Sequence, residues 1–395
     1  MNMARLFVSL VLVSAATAWA DPLFKTDNIF PRQAKHVHGS SIVECPNGDL
    51  LACWFHGSGE RSADDVVIQG ARKKKGADRW GSAFLMADTP GFPDCNPVLH
   101  VDRTERVWLF WIAVLAHRWE CSYLKYRRAD GCESDQAPPW SWQDVIQLKP
   151  GEAFPNILKE KFDELRLEEG MWGEYAKPYR RLIEEAAQDP YKRQTGWMTR
   201  IHPITLPSGR MLLPLYSDGF NVSMVAISDD EGDTWRASSP IVGLGPIQPT
   251  LVRKKDGTVA AYCRDSGGAP ERVMVSTSKD DGQTWSAAVD TDIPNPGSSL
   301  EVIALSDGRW LMICNDTERG RGRLTAMLSD DEGASWKWRR PLEPSDEQGK
   351  SFGYPSVIQT RDGLVHMTYT YGTDAGNSIR HGVINTEWIE KDKSR

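Results

Sequence analysis

Three octapeptides decide the fold: SDDEGDTW at 228–235, SKDDGQTW at 278–285 and SDDEGASW at 329–336. All three read S-x-D-x-G-x-[ST]-W, and their starts lie 50 and 51 residues apart. A fixed period near 50 marks stacked units such as propeller blades. Each octapeptide has the chemistry of a tight hairpin. The Asp side chain can bond nearby backbone N–H groups, the Gly tolerates a positive φ, and the Trp can pack back between neighbouring sheets. A degenerate fourth copy ends Gly76-Ala77-Asp78-Arg79-Trp80.

A second repeated element runs between these. Short alternating strands flank a turn in PNGDLLACWF (46–55), PSGRMLLPLY (207–216), KDGTVAAYC (255–263), SDGRWLMIC (306–314) and RDGLVHMTYTY (361–371), with DRTERVWLFW (102–111) as a looser version. The turn positions 48, 105, 209, 257, 308 and 363 give six units. Period-2 strands punctuated by Gly turns at regular spacing read as all-β, and six four-stranded blades around an axis are the predicted architecture. A seventh blade would have to hide in the double-length interval between 105 and 209. That interval holds a segment, about 151–195, rich in helix formers. Phe154, Ile157, Leu158, Phe162 and Leu165 recur at helical spacing, and a second short helix is expected after Pro178. It is too short for a core of its own, so it is expected as a helical insertion that walls or covers a propeller loop.

Composition narrows the function. Lys plus Arg is 47 against 54 Asp plus Glu, a net charge of −7, which argues against nucleic acid as a partner. The first 20 residues read as a signal peptide: Arg5, an apolar run from Leu6 to Ala16, then Ala18-Trp19-Ala20 as a cleavage site. The expected mature chain is 21–395, secreted or periplasmic, and no later apolar run suggests a membrane anchor. Of the seven cysteines, Cys121 and Cys132 are the candidate disulfide pair. No CxxC, GxGxxG, P-loop or GxSxG motif is present, and His100, His117 and His202 are scattered, so neither a cofactor nor a metal is expected.

The octapeptides resemble the Asp-box, or bacterial neuraminidase repeat. With the blade spacing they make residues 35–390 similar to the sialidase (neuraminidase) superfamily. The resemblance implies that the boxes are structural and that function lies on strand starts facing the axis. It also implies three arginines that clamp a sugar carboxylate, for which a planar, always-charged guanidinium is suited. Arg264 and Arg321 stand at two of those positions, with Arg319 and Arg323 adjacent to the second. At the third, His38 replaces the expected arginine, with Arg32 a few residues earlier as its spatial alternative.

The resemblance further implies a tyrosine nucleophile, an exception among glycosidases. Tyr354 stands at that position. Its partner glutamate is replaced by Gln248, and Glu301 is the nearest carboxylate to take that role. The general acid is expected on the loop HGSGERSADDVVIQG, at Asp65, then Glu60, with Asp64 also a candidate; Arg61 would bind a polar substituent. Asn96, Arg200, His202 and Pro203 are expected to contact substrate at the mouth. The reading this supports is an exo-glycoside hydrolase acting on terminal sialic acid or a related acidic sugar. Its alternatives are a uronic-acid polysaccharide lyase or hydrolase and a non-catalytic glycan-binding propeller.

Overall fold

The computed structural model describes residues 21–166, 173–343 and 349–391; the expected signal peptide lies outside them. Six four-stranded antiparallel sheets follow one another along the chain as the blades of a propeller. Their first strands are His36–Glu44, Asp94–Val101, Ile204–Thr205, Pro246–Arg253, Glu301–Ala304 and Ser351–Gln359. Apart from the two-residue Ile204–Thr205, first strands of neighbouring blades touch one another and so line the axis. The ring is closed by the N-terminal strand Phe24–Asn28, which completes the last sheet by pairing with Gly376–Ile384, from Phe24 opposite Ile384 to Asn28 opposite Arg380. Closure of this kind leaves the sheets few free edges.

The six turn positions named from the sequence all join a first strand to a second. Each carries a positive φ: Gly48 (87°), Glu105 (65°), Gly209 (96°), Gly257 (95°), Gly308 (87°) and Gly363 (86°). The looser second unit puts a glutamate where the others put glycine.

The Asp-boxes lie on the turns from third to fourth strand. In all three, Asp Oδ1 accepts from the Ser hydroxyl two residues earlier at 2.8–2.9 Å and from the backbone N–H four residues later, also at 2.8–2.9 Å. Asp Oδ2 accepts from the Thr or Ser hydroxyl at 2.6 Å in each. The turns press on the preceding blade. A Cβ on Gly232 (φ 86°) would stand 2.4 Å from Trp108, so this position excludes any side chain. Trp285 and Trp336 are buried in the packing between blades. In the degenerate fourth copy, the same turn of the first blade, Trp80 packs edge-on to His381.

The insertion forms α1 (Phe154–Glu164), α2 (Gly173–Ala187) and α3 (Pro190–Gln194). Helix α2 begins before Pro178 and runs through it, where a helix starting after that proline was expected. Phe154, Leu158 and Phe162 of α1 and Ile183 and Ala187 of α2 are buried with Trp197 and Phe220 in one core. Phe154 meets the rings of Trp197 and Phe220 edge-on at 6.3 and 5.8 Å. The Tyr179 hydroxyl donates to the Asn221 carbonyl at 3.3 Å. The helices therefore buttress the third-blade loop around 218–221.

Cys45 is joined to Cys132, with Cα atoms 5.9 Å apart. This corrects the expected Cys121–Cys132 pair; Cys121 is free. The eight-residue strand Ser122–Ala129 separates the two. At about 3.3 Å per residue it carries them roughly 25 Å apart.

Candidate active site

Four first strands carry a β-bulge at the same place. The register shifts fall between His38 and Ser41, Cys95 and Val98, Ile247 and Thr250, and Gly353 and Ser356. Each bulge holds one residue with a left-handed backbone: Gly39 (φ 61°), Asn96 (51°), Gln248 (53°) and Tyr354 (56°). A bulge re-aims a side chain, and a positive φ outside glycine costs on the order of 1–3 kcal/mol, so such positions gather at functional sites. All four lie nine residues before their blade's turn position, and so does Arg200 in the third blade. That constant offset is a signal the sequence carries.

These positions converge on Tyr354. Arg264 Nη1 donates to the Tyr354 oxygen at 2.9 Å. The guanidinium carbons of Arg200 and Arg321 lie 5.1 and 5.2 Å from its ring centre, and the His38 ring lies 4.0 Å from it. The Gln248 amide reaches both Tyr354 and Tyr216, and Tyr216 Oη accepts from Asn96 Nδ2 at 3.0 Å. A polar cavity of about 230 Å³ opens over this cluster, lined by Glu60, Asn96, Trp119, Tyr216, Asp218, Asn221, Gln248, Arg264 and Tyr354 among others. Two buried polar atoms here have no partner, Gln248 Oε1 and Arg264 Nε.

The electrostatics of the site follow from burial and these cations. Burial raises the Tyr354 phenol's pKa, but Arg264, Arg321 and the Gln248 bond outweigh it and leave it below the ordinary value. Burial dominates at Tyr216, which ends well above the ordinary phenol. Burial also raises the carboxyls of Glu60 and Asp218. It lowers His38 well below the ordinary histidine, helped by His36 and the arginines, so this ring is neutral. Its Nδ1 is paired with Thr370 Oγ1 at 2.8 Å.

The remaining expectations divide. Arg321 is the residue of its trio at Tyr354, since Arg323 is tied to Asp316 at 2.9 Å. Arg61 stacks 5.3 Å from Trp119 at the cavity. Arg32 instead bonds Thr373 Oγ1 at 3.0 Å.

Asp65 is corrected as the general acid. Its carboxylate accepts from Ser58 N at 2.8 Å, Ser58 Oγ at 2.6 Å and Lys35 Nζ at 2.9 Å. Those bonds hold it far below the ordinary carboxylate range, opposite to what proton donation needs. Asp64 is paired with His117 Nε2 at 2.8 Å.

Glu301 is corrected as the partner of Tyr354. It is buried, with Oε1 2.6 Å from His202 Nδ1 and Oε2 accepting from Val357 N at 2.6 Å. Burial lowers His202 and Glu301 outweighs it, so the imidazolium also donates from Nε2 to the Ile42 carbonyl at 2.9 Å. This pair stitches four blades together, and it lines a separate cavity with His100 and Pro203. His202 and Pro203 are therefore not at the mouth. Trp119, Tyr216, Asp218, Asn221, Ile247 and Ser266 are the cavity residues that sequence reasoning missed. Among the described residues no cluster of three His, Cys, Asp or Glu could hold a metal, and no helix is long and apolar enough to cross a membrane.

The profile of the BNR repeat-like domain family matches residues 48–173 and 192–367. The chain belongs to that family. A curated member of the wider group, the anhydrosialidase of the leech Macrobdella decora, is 27% identical over 182 residues, 41% of this chain and 23% of the relative. The BNR repeat-like chain thus spans less than a quarter of that protein. Among solved structures, the Hadza microbial sialidase Hz136 superposes with a TM-score of 0.68 at 17% identity, over 92% of this chain and 69% of that one. The intramolecular trans-sialidase from Ruminococcus gnavus, in complex with oseltamivir carboxylate, gives 0.65 at 15% identity, over 92% and 98%. The fold is that of sialidase propellers.

Proposed function

We propose that the protein is an exo-glycoside hydrolase of the sialidase type, releasing a terminal sialic acid or related acidic sugar with retention. One observation carries this reading: Tyr354 shares a small polar cavity with Glu60, its oxygen bonded by Arg264 and its ring faced by Arg321. A tyrosine oxygen is suited to attack an anomeric centre that bears a carboxylate here, because Arg264 and Arg321 stand beside it and offset negative charge on either group. Arg264 and Arg321 would hold that carboxylate. Glu60, kept towards its acid form by burial, would protonate the leaving oxygen as the Tyr354 oxygen, its own proton lost to water in the cavity, bonds the anomeric carbon. Water would then release the sugar, with Glu60 taking the proton back.

Gln248 favours a second reading. An amide cannot take a proton, so a glycan-binding propeller without turnover remains the competitor. The test is paired, on wild type and Tyr354→Phe, with fluorogenic sialosides and uronic-acid glycosides: affinity by calorimetry and product by mass spectrometry. The enzyme reading expects retained binding and turnover lower by several orders of magnitude in Tyr354→Phe. A Tyr354→Phe protein with near-normal turnover sinks it, and a product with an unsaturated ring makes the protein a lyase.

A further inference from the structure

Tyr354 has no base. Its oxygen accepts from Arg264 Nη1 at 2.9 Å, and the other group reaching it is the Gln248 amide. Among the described residues no carboxylate is hydrogen-bonded to it. A guanidinium has no acceptor to offer, and an amide does not become a proton's resting place. Yet a phenol is a weak nucleophile until its proton leaves.

What surrounds the ring is positive charge. Arg264 sits at the oxygen, Arg321 and Arg200 at 5.2 and 5.1 Å from the ring centre. Arg200 is 2% exposed. Its Nη1 donates to the Ser40 carbonyl at 3.1 Å and its Nη2 to the Pro355 carbonyl at 3.2 Å, while Nε has no partner. The bond to Pro355 also pins the backbone just after the left-handed Tyr354. Arg321 Nη2 is likewise spent on a carbonyl, that of Gly297 at 3.0 Å. None of the three is hydrogen-bonded to a carboxylate among the described residues. Glu301 is near Arg200, but both its oxygens are engaged elsewhere.

The other groups facing Tyr354 are held neutral or towards neutrality. Burial keeps His38 unprotonated and Tyr216 as the phenol, and it raises the Glu60 carboxyl. Gln248 carries no charge. Three nearby cations then act on the phenol against its burial and the Glu60 carboxyl, and the cations outweigh these.

We propose that Arg264, Arg321 and Arg200 together ionise Tyr354 without a carboxylate base, so that the free site rests as a phenolate. The O–H bond breaks and the proton passes to water in the cavity. In turnover the phenolate oxygen bonds the anomeric carbon, the glycosidic C–O bond breaks, and the leaving oxygen takes the Glu60 proton. Arg200 is a positioning residue here, acting through the Tyr354 ring and backbone. The catalytic use rests on the glycosidase reading; the ionisation does not.

Tyrosinate absorbs at longer ultraviolet wavelength than the phenol, so the test is a pH titration of the wild-type minus Tyr354→Phe difference spectrum, without substrate. The expected midpoint lies below about 7, well under the ordinary phenol value of about 10, as a phenolate at rest near neutrality requires. Arg200→Gln is expected to move it upward, and Arg200→Lys, which keeps the charge, to move it less. Should Arg200→Gln fail to fold, Arg321→Gln reads the same shift from a less buried site. A wild-type midpoint above neutrality overturns the proposal, and so does an unmoved midpoint in a folded arginine-to-glutamine variant. An inactive protein with a low midpoint would refute the glycosidase reading alone; an active one with an ordinary midpoint would refute the phenolate alone.

Discussion

The Asp-box turns and the axial bulges are both repeats, but they repeat different things. At the boxes the residues recur and so do their bonds: Asp230, Asp280 and Asp331 each accept the same three bonds, within 0.1 Å of one another. At the bulges the backbone recurs and the residues do not. The bulge residue, nine before the turn, is Gly39, Asn96, Gln248 or Tyr354, depending on the blade. Identical residues in identical environments do the same thing several times, which suits stability. Different residues delivered by one backbone device to one axis can act on one ligand together.

The sharpest way to break this contrast is at the cavity. Glu60→Gln keeps the side chain's size and removes its proton. Turnover is expected to fall about 10²- to 10⁴-fold, the usual worth of a general acid, with little change in melting temperature. The pH profile gives an independent readout. Burial raises the Glu60 pKa, so the acid form persists above the ordinary carboxylate range and turnover falls as pH rises through the raised value. Glu60→Gln should lose that limb. An unchanged profile would return the acid's role to another residue, Asp218 first, since burial raises it in the same cavity.

Arg264→Lys tests binding. Lysine keeps the charge but loses the fork, and a charge-assisted bond is worth about 1.5–3 kcal/mol, so affinity for a sialoside should fall about 10- to 100-fold by calorimetry. Equal affinity in the two proteins would remove Arg264 from the carboxylate clamp.

The difference between the two regions also explains what could be read in advance. The propeller, its six turns and its three boxes were legible because each depends on local chemistry: a serine two residues before one Asp and a hydroxyl four residues after it, or a residue at positive φ. Tyr354, Arg264 and Arg321 were legible through the resemblance. Asp65 and Glu301 misled because a carboxylate in the right stretch of sequence says nothing about its partners. Ser58 and Lys35 capture Asp65, while His202 and Val357 capture Glu301. Asp218 and Asn221 went unread because the helical insertion, through Phe220 and Tyr179, holds their loop at the cavity. Cys45 and Cys132 are 87 residues apart in sequence, beyond the reach of any spacing rule.

The smallest expected effect lies at the boxes. Asp230→Ala, Asp280→Ala and Asp331→Ala should each cost about 1 kcal/mol of stability, a net hydrogen bond's worth for an exposed turn. Turnover per folded molecule should hold, because none of the three lines the cavity. Acid sharpens the prediction. The hydroxyl and N–H donors of Ser335, with Ser329, hold the Asp331 carboxyl down from 3.8 to about 2. A depressed folded pKa means that its contribution is complete above the ordinary value and fades as pH falls through the folded one. The stability gap between wild type and Asp331→Ala should therefore be constant from neutrality down to about pH 4 and close as pH approaches about 2. A gap that stays constant through that window would mean the Asp331 side chain contributes equally in its protonated form, so that its charge adds nothing to the box. A selective loss of turnover in a fully stable Asp331→Ala protein would erase the division of labour between turns and axis.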